Sequence, residues 1–450
     1  MRLQNLKIAF IICCVLVLSA CMQPDSPRTC PESAPSAASS SQSSSSLEMK
    51  MALSSMGVFG QEIAGNENGA YTILSNTQDY SARLLYYDYA TRQMTYLSNQ
   101  VIVTNDEENP GWLEDVFGGA VPLAVNGKLY VVKYGKSPIP RIHYEGSPSF
   151  LLEMEPNAAN RKKLPVPRGQ LLKNNTGIAA DGKNLYLLLT NYDEKALQIT
   201  NITLCKTNFD KNAFDPLLSL GIEKDTQIVG VFPEGLILQR TFLPAEYADG
   251  DQAMQISHFN YELQLYSIPE NSLVETGFTW KQGDLSFVLG QGLVYYVKTG
   301  TAQLCAYDLQ SKTHRVLVEN LLTNIPVEST DAQIILMGEL YDDHISLKLL
   351  DGEGSADYSY SLHTQEILPL LLAFEHEGGT IPISIASETD LYFLVNSGFN
   401  TLHRLATGTD GSYYTVDSKI TQYSLIKKED YWNSIPNFIS FDEALLEAVR

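Results

Sequence analysis

Leu84-Leu85-Tyr86-Tyr87-Asp88-Tyr89-Ala90-Thr91-Arg92-Gln93-Met94-Thr95-Tyr96-Leu97 is the stretch that decides the fold. A run of Leu and Tyr meets Asp88, a short turn of Ala90 to Gln93 follows, and a second run begins at Met94. Strand formers on both sides of an Asp-led turn read as an antiparallel hairpin. The same order returns at Leu304-Cys305-Ala306-Tyr307-Asp308-Leu309, with Gln310-Ser311-Lys312 as the turn and Arg315-Val316-Leu317 as the second run. Looser copies begin at Leu204-Cys205-Lys206 and Leu263-Gln264-Leu265. Ahead of these hairpins stand other strand runs, each behind a turn: Asn126-Gly127, Asp181-Gly182, Glu234-Gly235 or Gln291-Gly292. Gly or Asn there permits the positive φ of a tight hairpin.

These units recur at roughly 50 to 60 residues, a period that points to propeller blades or another array. Turn, inner strand and outer hairpin together make one four-stranded blade. Starts near Gly69, Gly127, Gly182, Gly235, Gly292, Gly338 and Asp390 predict an all-β chain. The architecture expected is a β-propeller of about seven blades, with six or eight left open. The Gly338 unit has the weakest pattern. A β-sandwich would also give short strands, but not one repeated order. Ring closure is expected to pair a strand near Met51 to Ala64 with the last blade. Ser440-Phe441-Asp442-Glu443 reads as a capping box opening a short C-terminal helix over 444–449. Tyr431 and Trp432 before it read as core or lid packing.

The chain's start carries a different message. Arg2 and Lys7 precede an uncharged apolar run, Ile8 to Leu18, which Leu18-Ser19-Ala20-Cys21 closes. The run is about half the roughly 20 residues of a membrane-spanning helix. Charge, short apolar core and small residues in that order mark residues 1–20 as a signal peptide. An ordinary signal cut after Ala20 would leave a soluble protein. The Leu-Ser-Ala-Cys stretch, however, resembles the lipobox of bacterial lipoproteins. That resemblance implies cleavage before Cys21 and a diacylglyceryl group on its thiol. Behind it, Pro24, Pro27, Pro31, Pro35 and the serine tract from Ser39 to Ser46 cannot bury enough apolar surface to offset ordering entropy. Residues 21–48 are therefore expected to be a lipidated Cys and a disordered tether, with 49–450 as the propeller domain.

Composition narrows the function. Lys plus Arg number 31 against 52 Asp plus Glu, for a formal net charge of −21. That argues against nucleic acid, which needs a basic footprint, and against adhesion to anionic head groups. Cys13 and Cys14 lie in the signal and Cys30 in the tether, leaving Cys205 and Cys305 for the folded region. Their matching strand contexts point to burial in separate repeats. No spacing suggests zinc.

The Leu-Tyr-Tyr-Asp-Tyr-Ala-Thr stretch at 85–91, together with the leader, resembles bacterial, Gram-positive lipoproteins that carry a TolB-like or YncE-like β-propeller. Recurrent Trp-Asp pairs are absent. Thr276-Gly277-Phe278-Thr279-Trp280 is a single partial copy of a quinone-docking motif, so no cofactor is expected. There is no Gly-x-Ser-x-Gly elbow, His-Glu-x-x-His helix or phosphate-cradling Gly-Lys-Ser/Thr loop, and no catalytic residue is assigned. Glu375-His376-Glu377 is the densest metal candidate. In an extended segment its two acids would share a side with His376 pointing away, so it reads as a solvated loop, as does Asp342-Asp343-His344. Asp106-Glu107-Glu108, Asp249-Gly250-Asp251, Asp351-Gly352-Glu353 and Asp410-Gly411 lack the ordered spacing of a calcium loop and read as turns. No metal site is assigned. The tyrosines are good strand formers before they are a sugar platform.

The expectation is a lipoprotein on the outer face of the cytoplasmic membrane, whose propeller is a binding or scaffold module for an envelope protein, peptide or glycan. The alternative is a glycan hydrolase or lyase with carboxylates at the funnel. A solute receptor of an importer would suit the anchor but not the strand repeat. Two carboxylates about 5 to 10 Å apart across the funnel would mark glycosidase chemistry. A mixed or apolar lining without such a pair would mark binding. The leader analysis predicts that Cys21→Ala moves the protein out of the membrane fraction, as read by detergent phase partitioning. Unchanged retention would count against lipidation.

Overall fold

The computed structural model describes residues 49–54, 63–75, 80–97, 109–135, 148–193, 198–290, 292–327, 329–352, 354–407 and 412–442. The signal, Cys21 and the tether lie outside the described residues. So do Asp106-Glu107-Glu108, Asp410-Gly411 and the helix expected over 444–449.

Seven antiparallel four-stranded blades follow one another along the chain. Their first strands are Ile63–Gly65, Ala120–Val125, Ile178–Asp181, Asp225–Phe232, Leu285–Gly290, Gln333–Tyr341 and Ser384–Glu388. First strands touch between blades 1 and 2, 3 and 4, 4 and 5, 5 and 6, and 7 and 1, so they form the inner ring. The decisive hairpin is the outer half of blade 1, with strands Ala82–Asp88 and Gln93–Tyr96. Its copy in blade 5 is Leu304–Asp308 with Thr313–Val318. The turns are built alike. Asp88 Oδ1 accepts from the amides of Ala90 (2.8 Å) and Thr91 (2.9 Å), and Asp308 Oδ1 from those of Gln310 (2.8 Å) and Ser311 (2.9 Å). Four residues beyond each Asp, Arg92 and Lys312 take φ of 60° and 57°. Asn212 and Asn271 do the same in blades 3 and 4. An Asx-type turn closed by one left-handed residue is thus the repeated local device.

Both faces of a blade are buried, which explains why strands such as Leu185–Asp193 begin as unbroken apolar runs. Leu185, Leu187 and Leu189 enter a core shared with blade 2, while Tyr186 and Leu188 enter one shared with blade 4. Seven such cores exist among the described residues, one between each pair of consecutive blades and one between blades 7 and 1. An open row of seven sheets would have six, so the ring is closed. Cys205 and Cys305 are free and buried in blades 3 and 5. Tyr431 and Trp432, at the end of the short helix Lys428–Trp432, pack edge-on against Phe393 with centroids at 5.1 and 5.3 Å.

Three expectations need correction. Gly338 is not a hairpin start. The turn of blade 6 lies at Asp342-Asp343, with φ of 45° and 61°, and Gly338 sits in a bulge of the preceding strand. Nor, among the described residues, does any strand near Met51 to Ala64 pair with the last blade. Blade 7 is built wholly from the C-terminal part of the chain, as Ser384–Glu388, Tyr392–Thr407, Tyr413–Lys427 and Ile439–Ser440. The seam with blade 1 is held by side chains (Ile63, Leu85, Tyr87 and Met94 against Leu394, Tyr423, Leu425 and Phe441) and by one parallel bridge. In that bridge Met94 N donates to Asp442 O (3.2 Å) and Asp442 N to Arg92 O (2.8 Å). Ser440 itself is in a strand, not at a helix start.

Met49–Leu53 goes elsewhere. It adds a fifth strand inside blade 3, antiparallel to Ile178–Asp181, and so runs in the central channel. Met49 and Met51 pack on the blade 3–4 core, and Leu53 enters the blade 2–3 core at 1% exposure. The strand passes close to Gly177, where a Cβ would stand 2.4 Å from Met51 Cε, 2.6 Å from Ile228 O and 2.9 Å from Leu53 O. Two of those are backbone atoms that cannot swing aside. Gly177→Ala should therefore destabilise the domain by about 1–3 kcal/mol in chemical denaturation. No loss would mean that the strand does not sit this tightly in solution.

Candidate functional site

The inner strands bring mostly small and apolar side chains to the axis, and bulges at Ile228/Gly230 and Met337/Tyr341 open space between them. The result is a cavity of about 410 Å³ beside the N-terminal strand, against the inner strands of blades 4, 5 and 6. Val229, Leu289, Leu336 and Leu340 supply apolar wall. The polar groups are few. Ser286 Oγ is committed, accepting from Leu336 N at 2.8 Å. Gln227 and Gln239 face each other across adjacent strands, and neither carboxamide has a hydrogen-bond partner among the described residues.

Glu339 is the one carboxylate in the described lining. Burial raises its pKa above the usual carboxylate range, a hydrogen bond from Ser54 pulls the other way, and the charge of Glu388 adds to the rise. Glu388 cannot serve as a free acid–base partner, because Lys428 Nζ holds its Oε2 at 2.8 Å and Asp342 Oδ1 at the same distance. The described lining therefore lacks an opposed pair of uncommitted carboxylates of the kind used to hydrolyse a glycosidic bond.

A second cleft, about 740 Å³, lies on the blade 7–1 seam. It contains Glu67, Asp88 and Asp390, but two of these acids are engaged, Glu67 across the seam and Asp88 in its own turn. Glu67 Oε2 accepts from Asp390 N at 3.1 Å, and Asp88 caps its own turn. Tyr86 OH donates to Asn68 O at 3.0 Å, and burial pushes its pKa up to about 12. Leu391 stands 71% exposed at the rim.

The sequence candidates do not assemble. Glu375-His376-Glu377 forms the end of a hairpin, Ala373–His376 with Gly379–Pro382, in which Glu377 and Gly378 take φ of 50° and 79°. The turn ends the alternation at His376, so Glu377 does not share a side with Glu375 as expected of an extended segment. Glu375 Oε1 accepts from Thr380 Oγ1 at 3.1 Å, while Lys419 ion-pairs with Glu377 and lies 3.3 Å from His376 Nε2. In Asp342-Asp343-His344 the imidazole stacks on Trp432 with centroids at 4.2 Å. Asp251 caps the helix Gln252–Ser257 through Met254 N at 2.9 Å, and Asp351 Oδ1 accepts from Ser329 N at 2.8 Å. Among the described residues no three His, Cys, Asp or Glu side chains gather to hold a metal. Five of the tyrosines (130, 186, 266, 360 and 431) are fully buried core.

Ser54, Gln227, Gln239 and Glu339 carry no linear motif. The one local sign is Gly338-Glu339 inside a strand-like run, where an interior glycine marks a bulge.

No protein-family model matches the chain, and no curated protein does. Among solved structures, the β-propeller domain of the Trilobed protease from Pyrococcus furiosus is similar over 86% of this chain and 98% of its own, at 10% identity and a TM-score of 0.41. Oligogalacturonate lyase in complex with manganese is similar over 78% and 84%, at 10% identity and a TM-score of 0.36. TolB from Acinetobacter baumannii is similar over 80% and 76%, at 10% identity and a TM-score of 0.31. At these identities the likeness is one of fold.

The raised pKa of Glu339 has a sign that can be checked. A carboxyl easier to protonate in the folded chain than in the unfolded one costs stability as pH rises through the carboxylate range. Glu339→Gln removes that cost. The variant should match the wild type in acid and exceed its thermal midpoint above the carboxylate range. A parallel pH profile would refute burial of the charge.

Proposed function

We propose that this protein is an extracytoplasmic lipoprotein, anchored through Cys21 to the outer face of the cytoplasmic membrane, whose seven-bladed ring is a binding or scaffold module. Its partner is an envelope protein, peptide or glycan. The observation that carries this reading is the channel lining. One partly buried carboxylate and two uncommitted carboxamides stand in an otherwise mostly apolar wall. That is the composition of a recognition pocket, in which a few placed polar groups orient a ligand and apolar surface supplies affinity. The acidity of the whole chain fits the same role, since a net charge of −21 favours encounter with basic partners.

Affinity capture from envelope extract with the full-length protein in detergent tests it. A stoichiometric partner is expected. Failure to recover one, together with turnover of a glycan by the purified protein, would reverse the reading in favour of an enzyme.

A further inference from the structure

We propose that the channel cavity takes an extended peptide segment bearing a basic side chain, laid along the free edge of Met49–Leu53 with its cationic group on Glu339. The inference rests on the binding-module reading and deepens it, by naming the ligand chemistry and the place.

Three independent features converge there. The first is a strand edge. Met49–Leu53 pairs along one side with Ile178–Asp181, and among the described residues its inward side has no strand partner. Met51 and Ser54 from this segment line the cavity, which places the strand at its wall. An unpaired strand edge presents N–H and C=O groups at the spacing of another extended chain, which is how added strands bind. The strand is a firm template, because its side chains are seated in the cores on both sides of blade 3.

The second feature is the pair Gln227 and Gln239. Their carboxamides sit at the cavity wall with no protein partner, and each offers both a donor and an acceptor. Peptide groups on a ligand's far edge have the complementary atoms. The third is charge. Glu339 is the one carboxylate of the described lining, and among the described residues no Lys, Arg or His side chain lines the cavity. An ammonium or guanidinium would supply the counter-charge that a desolvated carboxylate lacks. A glycan is less well served. Phe287 is the one aromatic ring in the described lining, and it already packs against Trp280 with centroids 5.2 Å apart and planes at 70°. The cavity, at about 410 Å³, suits a short segment of a partner rather than a folded domain.

Fluorescence anisotropy on the full-length protein in detergent tests this. The probes are Val-Thr-Lys-Val-Thr-amide carrying fluorescein on its N-terminal amine, and its counterparts with norleucine or glutamate in place of lysine. The lysine peptide should bind at least about tenfold more tightly than either counterpart. Glu339→Gln should abolish that preference while leaving the chain folded by circular dichroism. Gln227→Leu, a second variant that leaves the carboxylate in place, should weaken all three peptides and keep their ranking. Equal binding of the three peptides, no binding of any, or a preference that survives Glu339→Gln would each overturn the proposal. So would chitotetraose displacing a bound peptide while itself binding independently of Glu339. Capture from envelope extract with wild type and Glu339→Gln in parallel separates the two readings. A partner recovered equally by both overturns the channel site and leaves the binding module standing, whereas the absence of any partner counts against the module itself.

Discussion

Every blade depends on being buried on both faces at once. A single four-stranded sheet from this chain would expose an apolar surface on each side, as Leu185, Leu187 and Leu189 on one face and Tyr186 and Leu188 on the other make plain. A row of sheets solves the problem for all but its two ends. Only a closed ring gives the first and last blades a neighbour, so the blade 7–1 core is the condition under which the other six are stable. That core is closed without a shared strand. Tyr87 meets Phe441 and Tyr423 edge-on at 5.0 and 5.8 Å, and one parallel bridge at Asp442 clasps the outer rim. Side-chain burial, more than hydrogen bonding between the chain's two ends, carries the seam.

Because the ends are not spent on each other, the N-terminal segment is free to serve another purpose. Met49–Leu53 becomes an additional inner strand of blade 3 and occupies part of the channel. The channel is consequently asymmetric. Its blade 3 side is filled by this strand and its close approach to Gly177, while the side facing blades 4, 5 and 6 is opened by bulges. The cavity and its few polar groups follow from that asymmetry.

How much of this was legible beforehand divides along the range of the forces involved. The hairpins at Asp88 and Asp308 were plain, because an Asx turn and two flanking strands are written within about fifteen residues. The tyrosine-rich runs read as strands and form them, although Tyr130, Tyr186, Tyr266 and Tyr360 go deeper into the core than a strand former at a blade edge would, and Cys205 and Cys305 are buried in separate repeats as their contexts indicate. Glu375-His376-Glu377 drew attention through density alone, yet its turn scatters the three side chains toward Thr380 and Lys419. Glu339 carries no local signal because it lies far along the chain from the Gln227–Gln239 hairpin and shares a cavity with it only when blades 4 and 6 are set around one axis.

The order of residues by itself determined the strands, the turns between them and the approximate repeat. Those features depend on backbone sterics and side-chain hydrogen bonds within a few residues, where chain connectivity has already brought the groups together. Tertiary structure alone decided where Met49–Leu53 pairs, how the ring closes, and which polar side chains share a cavity. A strand's apolar pattern says that it must be buried but not against which partner. That choice is made by the fit of surfaces distant in the chain, and here the fit placed the first strand beside blade 3 rather than blade 7.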